Sequence, residues 1–292
     1  MKHFRRTFKS LFATPFRTIV IEASGGLGNQ LFQLAAGLYL RKITGRRLFL
    51  DTSWFTRNKV HDGFVLNSLL DLEKMEIQET NRVSRYLFTK KIKEPWGNTD
   101  IALELFQFPT LRTAYLQGYF LDYHIAESVR DELVMSLRHL PVSLDTARMS
   151  IFIHLRYGDK LNPEIRPLYD VVDIAYYADA IRWCQANYVG QPLDFYVFSD
   201  SEIESRQFVK SLAPANYIFQ SSNSAIQDFS FMYQCQGAIA SNSSFSYWAG
   251  MLQTNQRFWI MPWRWDNITP DDKCRVFGPR IVRLPLNNIS KF

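Results

Sequence analysis

The run from Thr18 to Asp51 limits most severely what this 292-residue chain can fold into. Thr18 to Glu22 reads as a short buried strand, and Ser24-Gly25-Gly26-Leu27-Gly28-Asn29-Gln30 follows it. Leu27, Leu31, Leu34 and Leu38 then recur at helical spacing until Thr44-Gly45, and Arg47 to Asp51 reads as a second strand. Strand, glycine loop, helix and strand make a parallel pair, because the helix carries the chain back to the edge it left. Parallel sheets are covered by helices on both faces, so the rest of the chain has to supply those helices.

The pattern returns after a less regular middle. Residues 58–112 mix helical fragments with polar turns, Tyr115 to Phe120 reads as a strand, and Ile125 to His139 as a helix. Pro141 to Arg148 interrupts the pattern just before the apolar strand Ile151-Phe152-Ile153. Beyond it, helices near 174–188, 202–211, 226–234 and 245–254 alternate with strands at Phe195 to Phe198, Tyr217 to Phe219 and Ala238 to Ala240. At about 150 residues per domain this predicts an α/β protein of two Rossmann-like domains facing a cleft. Their bounds are 18–145 and 146–292, preceded by a basic tail at 1–17.

The net charge of +6 sits at one end. Lys2, Arg5, Arg6, Lys9 and Arg17 precede the first acid, Glu22; setting those five aside from the 34 basic residues leaves 29 against 28 acidic ones. A nearly neutral body argues against a nucleic-acid partner, which requires a basic face on the folded part. Within residues 2–13, Phe4, Phe8, Leu11 and Phe12 share one helical face with the bases opposite, until Pro15. This reads either as a helix lying on a membrane surface or as a basic tail without a partner. A signal peptide would need a continuous apolar core. The longest stretch without Lys, Arg, Asp or Glu, Phe229 to Gln256, is too rich in Gln, Ser and Asn to cross a bilayer. Cys184, Cys235 and Cys274 are too few for a disulfide framework. The expected location is the cytoplasm, with a peripheral position on the inner face of the membrane if the tail binds there.

In open parallel sheets ligands bind beyond the carboxyl ends of the strands. Three endings in the second half carry chemistry: His154-Leu155-Arg156-Tyr157-Gly158-Asp159-Lys160, Ser199-Asp200, and Ser241-Asn242-Ser243-Ser244 before Phe245-Ser246. The guanidinium of Arg156 offers a fixed fork of donors suited to phosphate oxygens. Ser243 and Ser244 stand at a helix N-terminus, which favours an anion. Asp200 suits the N–H groups of a base or ribose hydroxyls. Singly, these residues also read as an ion pair and two helix caps; jointly, on one sheet edge, they describe a nucleotide-diphosphate site. Gly26 and Gly28 with Asp51 imitate a dinucleotide fingerprint, but Leu31 stands where a third small residue belongs. The five histidines show no metal-ligand spacing.

Gly25 to Gln33, Tyr115 to Phe120, His154 to Asp159, Phe198 to Asp200, Asp228 to Cys235 and Ser241 to Trp248, with Met261-Pro262 and Trp265 behind them, occur in order from residue 19 to about 265. Together they resemble the motifs of the bacterial α-1,2-fucosyltransferases of glycosyltransferase family 11. The resemblance implies a GT-B fold, GDP-fucose as donor, inversion at the anomeric carbon, and neither metal nor cofactor. It also implies a terminal β-galactoside as acceptor, often on a lipid-linked oligosaccharide of bacterial surface polysaccharide such as O-antigen. His154, Arg156, Ser199, Asp200, Asn242, Ser243, Ser244, Phe245 and Ser246 would then form the donor site, beside the glycine loop Gly25, Gly26, Gly28, Asn29 and Gln30. One departure stands out. The family usually has two arginines where this chain has Arg156 then Tyr157, and an aromatic where it has Lys160.

The catalytic expectation is that Arg156 holds the charge growing on the leaving β-phosphate. A carboxylate takes the proton of the acceptor hydroxyl; Glu164, placed like the base of related α-1,6-fucosyltransferases, and Asp159 are equal candidates. The rivals are a transferase of another linkage or nucleotide sugar, a nicotinamide-dependent oxidoreductase, and a lectin.

Overall fold

The computed structural model describes residues 17–58, 62–80, 89–94, 113–157, 163–164, 166–169, 172–220 and 224–284. The amphipathic pattern at 2–13 and the candidates Asp159 and Lys160 lie outside the described residues.

The first half runs β1 (Thr18–Glu22), α1 (Leu27–Thr44), β2 (Arg47–Asp51), the single turns α2 (Trp54–Arg57) and α3 (Leu66–Leu69), β3 (Gln78–Thr80), β4 (Thr89–Lys93), β5 (Thr113–Gln117) and α4 (Tyr123–Met135). The second runs β6 (Met149–Leu155), α5 (Arg166–Tyr169), α6 (Ile174–Asn187), β7 (Leu193–Ser199), α7 (Glu202–Lys210), β8 (Asn216–Phe219), α8 (Ala225–Gln234), β9 (Gly237–Ile239), α9 (Ser244–Leu252), β10 (Phe258–Pro262) and β11 (Val282–Leu284). The five-stranded sheet has the order β3-β2-β1-β5-β4 and the six-stranded one β11-β10-β9-β6-β7-β8. Every ladder among the described residues is parallel.

The strands that the sequence pattern hides are mostly edge strands. β3 (Gln-Glu-Thr) and β4 (Thr-Lys-Lys-Ile-Lys) close the two sides of the first sheet. Charge on an edge strand blocks pairing with other chains, so such strands lack the apolar run that marks a central one. β10 is fully buried, a continuous apolar run without the alternation that marks a half-exposed strand. The predicted strand Tyr115 to Phe120 ends at Gln117, because Phe120 takes a left-handed φ of 55° and turns the chain. The helix expected over 125–139 occupies Tyr123–Met135: Asp122 Oδ1 accepts from the N–H groups of His124 and Ile125, which fixes its start. Its end gives way to a bridge between Leu137 and Leu70.

One apolar core joins the two halves. Phe32 of α1 packs on Tyr247 and Trp248 of α9, with ring centroids 4.9 Å and 5.2 Å apart, and all three are fully buried. Burying each aromatic is worth roughly 2–3 kcal/mol. The cleft between the sheets is therefore set by helices that cannot slide without exposing these rings.

Candidate active site

β6 lies between β9 and β7, so the three endings singled out by sequence are neighbours on one sheet edge. Arg156, just past β6, donates from Nη1 to Asp200 Oδ2 at 2.7 Å, and the Tyr157 N–H donates to Asp200 Oδ1 at 2.8 Å. The side chains of Arg156 and Asp200 are 29% and 26% exposed. A half-exposed pair of this kind adds little stability; what it supplies is a fixed direction for the guanidinium. Asp200, expected to accept from a base or ribose, thus has both oxygens engaged with Arg156 and the backbone beside it.

His154 is buried, and its Nδ1 lies 2.9 Å from Ser241 Oγ. Its ring packs against Phe245, and its carbonyl accepts from the Tyr177 hydroxyl at 2.8 Å. It braces the end of β6 against the start of α9. Ser246 is buried with its hydroxyl 3.4 Å from Ser241 Oγ, and Asn242 Nδ2 donates to the Trp265 carbonyl at 2.7 Å. Ser199 Oγ accepts from the Ser201 N–H and donates to its carbonyl, forming the turn into α7. These four act on the protein itself. Among the described residues of this edge, Arg156 and the first turn of α9, whose N-cap Ser243 makes no side-chain capping bond, are the groups suited to an anion. Glu164 is exposed.

The glycine loop does not form a dinucleotide cradle. A Cβ on Gly28 would lie 2.2 Å from the Ser244 carbonyl carbon and 2.4 Å from the Phe245 nitrogen, so only glycine lets α1 and α9 touch. The Ser244 hydroxyl donates to Asn29 Oδ1 at 2.8 Å across the same contact. Gly25 has φ +72°, and Gly26 is the N-cap of α1. Gln30 Nε2 donates to the carbonyls of Gly25 and Gly63, and Gln33 Nε2 to that of Gly118. Asp51, the acid of the imitated fingerprint, is buried beside the Tyr115 hydroxyl at 2.7 Å and accepts from the Ser53 N–H. Two helix N-termini meet at this contact, and the positive ends of both dipoles favour an anion there.

Two features escaped the sequence reading. Tyr115 Oη lies 2.9 Å from Glu22 Oε2 as well as 2.7 Å from Asp51 Oδ2, so one hydroxyl serves two carboxylates. Burial, then the bond to Asp51, pushes that phenol far above its usual range. Glu94, directly after β4, accepts on Oε2 from the N–H groups of Tyr119 and Phe120 at 2.8 and 2.7 Å. Desolvation raises its carboxyl above the ordinary value. The signal in the sequence is a polar residue at or directly after the C-terminal end of the strands in the first sheet, Glu22, Asp51, Glu94 and Gln117.

Among the described residues no group of three or more His, Cys, Asp or Glu is placed to hold a metal ion. Among them, too, no helix is long and apolar enough to cross a membrane.

Two parallel α/β sheets meeting across a cleft, with an arginine and a helix N-terminus on one sheet edge, make a GT-B-type fold. Arabidopsis thaliana FUT1 in complex with GDP shares this fold, with a TM-score of 0.54 at 13% identity over 94% of this chain and 78% of its own. The profile of glycosyl transferase family 11 matches residues 9–274, and the chain belongs to that family. The Escherichia coli O-antigen biosynthesis glycosyltransferase WbnK is 29% identical over 284 residues, 83% of this chain and 93% of its own. An alpha-1,2-colitosyltransferase of Escherichia coli is 24% identical over 269 residues, 80% and 87% of the two chains. Galactoside alpha-(1,2)-fucosyltransferase 1 of Bos taurus is 25% identical over 284 residues, 92% and 74%.

Proposed function

We propose that this enzyme transfers L-fucose from GDP-fucose to the 2-hydroxyl of a terminal β-galactoside, with inversion, during assembly of a bacterial surface polysaccharide. The observation that carries this reading is Arg156, aimed by Asp200 on the same sheet edge as the uncapped first turn of α9. The activities that the relatives' names carry, O-antigen synthesis and α-1,2 transfer to galactosides, support the acceptor and linkage. On this reading residues 18–145 carry the acceptor and 146–292 the donor.

As the bond from the fucosyl carbon to the β-phosphate oxygen breaks, its electron pair leaves on GDP. Arg156 and the α9 N–H groups stabilise that charge more than they stabilise the intact donor, which is the condition for speeding the step. The acceptor oxygen attacks the opposite face and gives up its proton to a carboxylate. We assign that role to Glu164 or Asp159, and single-turnover rates of Glu164→Gln and Asp159→Asn decide between them. The expected metal independence is tested by activity in EDTA.

Arg156→Ala is expected to lower kcat about 10²–10³-fold, as loss of one preorganised donor does elsewhere; wild-type turnover would refute the assignment. The colitosyltransferase supports a second reading, another deoxysugar on the same nucleotide, which competition between the two GDP-sugars resolves. Residues 2–13 are assigned to a membrane surface on the cytoplasmic side. Vesicle binding that survives their deletion would refute that.

A further inference from the structure

A cavity of about 200 Å³ lies between the two halves, walled by Glu94, Gly118 and Tyr119 after β4 and β5 and by the segment Trp265–Val276 after β10. We infer that this cavity is the subsite for the acceptor's terminal sugar and that Glu94 reads one of its hydroxyls. The inference rests on the transferase reading above and names the place where its second substrate binds.

The volume falls below the ~300–1,000 Å³ of sites for drug-sized ligands and suits a single pyranose ring. A pyranose offers C–H groups on its faces and hydroxyls at its edge, and the cavity offers both counterparts. The rings of Trp265 and Tyr119 line it, and Tyr119 is 39% exposed at its mouth. Glu94 Oε2 is held by two backbone N–H groups, while Oε1 has no hydrogen-bond partner among the described residues. Holding one oxygen fixes the carboxylate and leaves the other for a ligand hydroxyl, a charge-assisted bond of the stronger kind.

The local backbone is built around this carboxylate. Phe120 is in the left-handed region, which brings its N–H and that of Tyr119 onto the same oxygen, and such strain gathers at ligand clamps. A Cβ on Gly118 would lie 2.4 Å from Glu94 Cβ, so only glycine admits the side chain.

Both walls are tied to the donor side. Gln33, in the helix that touches α9, holds the Gly118 carbonyl at 3.1 Å. Asn242, two residues before Ser244, holds the Trp265 carbonyl at 2.7 Å. A sugar seated here therefore has its position set by the same two motifs that form the contact of α1 and α9.

The test is saturation-transfer NMR of methyl β-galactoside on the full chain, wild type against Glu94→Gln and Tyr119→Ala, with GDP titrated separately. Gln keeps an oxygen for both N–H groups, and Tyr119 is exposed, so both variants are expected to fold and to bind GDP as wild type. Affinity for the galactoside should fall at least about tenfold in Glu94→Gln, the scale of a lost bond to a charged group, and fall also in Tyr119→Ala. Lack of galactoside binding by the wild type, or unchanged affinity in both variants, overturns the inference. Failure of GDP to bind instead overturns the transferase reading, so the two failures are distinguishable.

Discussion

Gly28→Ala tests whether the glycine loop acts as a joint between the halves. The added Cβ lands 2.2 Å from the Ser244 carbonyl carbon and 2.4 Å from the Ser244 oxygen and Phe245 nitrogen, all main chain. Main-chain atoms cannot rotate aside, so α1 and α9 have to separate. Overpacking costs about 1–3 kcal/mol, and losing the Ser244–Asn29 bond costs about 1 kcal/mol more. The sum, about 2–4 kcal/mol, corresponds to a fall in Tm of roughly 3–7 °C for a chain of this size. The same displacement moves the first turn of α9, and a shift of about 1 Å at a reacting centre costs about a hundredfold in rate. Calorimetry and a GDP-release assay read the two effects. Gly190→Ala is the control: Gly190 has φ +80° with nothing near its Cβ position, so it should lose about 1–2 kcal/mol to strain and no activity. A Gly28→Ala enzyme that melts and turns over as wild type refutes the reasoning.

Asp200→Asn should bind GDP more weakly and lower kcat by about tenfold, less than Arg156→Ala, because the guanidinium remains but loses its orienting charge; kinetics of the two variants side by side check the order. Tyr115→Phe removes the hydroxyl between Glu22 and Asp51 and should cost about 1–3 kcal/mol in denaturant unfolding. Glu94 has its carboxyl raised by desolvation, so the folded state holds its proton over a range where the unfolded chain, near 4.5, has released it. Stability attributable to this group therefore falls as pH rises above 4.5. The Tm of Glu94→Gln relative to wild type should rise across that window, with Asp122, Asp266, Lys273 and Arg275 nearby in both proteins. Burial raises all three thiols, but Cys184 and Cys235 are closed to solvent and Cys274 is partly open, so a thiol reagent should label Cys274 first in the native protein.

The second half was readable because its chemistry lies on central strands, where apolar runs such as Ile151-Phe152-Ile153 mark the strand and make the next polar residue stand out. That rule located Arg156, Asp200 and Ser241 on adjacent strands. It did not reveal that Asp200 turns toward Arg156, or that His154 bonds Ser241 and Ser199 bonds Ser201, since partner choice depends on three-dimensional neighbours. The glycine loop was legible as a loop, but not its use: the reason for Gly28 is a peptide bond more than 200 residues away. The first sheet hid most. Its edge strands are polar, so Glu94 after β4 carried no strand signal before it, and Glu22 and Tyr115 become a pair only when β1 and β5 are placed side by side.

The most direct measurement is GDP release from GDP-fucose in EDTA, with and without lactose, followed by linkage analysis of the product. The account predicts lactose-dependent release and an α-1,2-linked fucosyl product. If the intact chain neither releases GDP from GDP-fucose nor binds GDP, the account is contradicted at its centre.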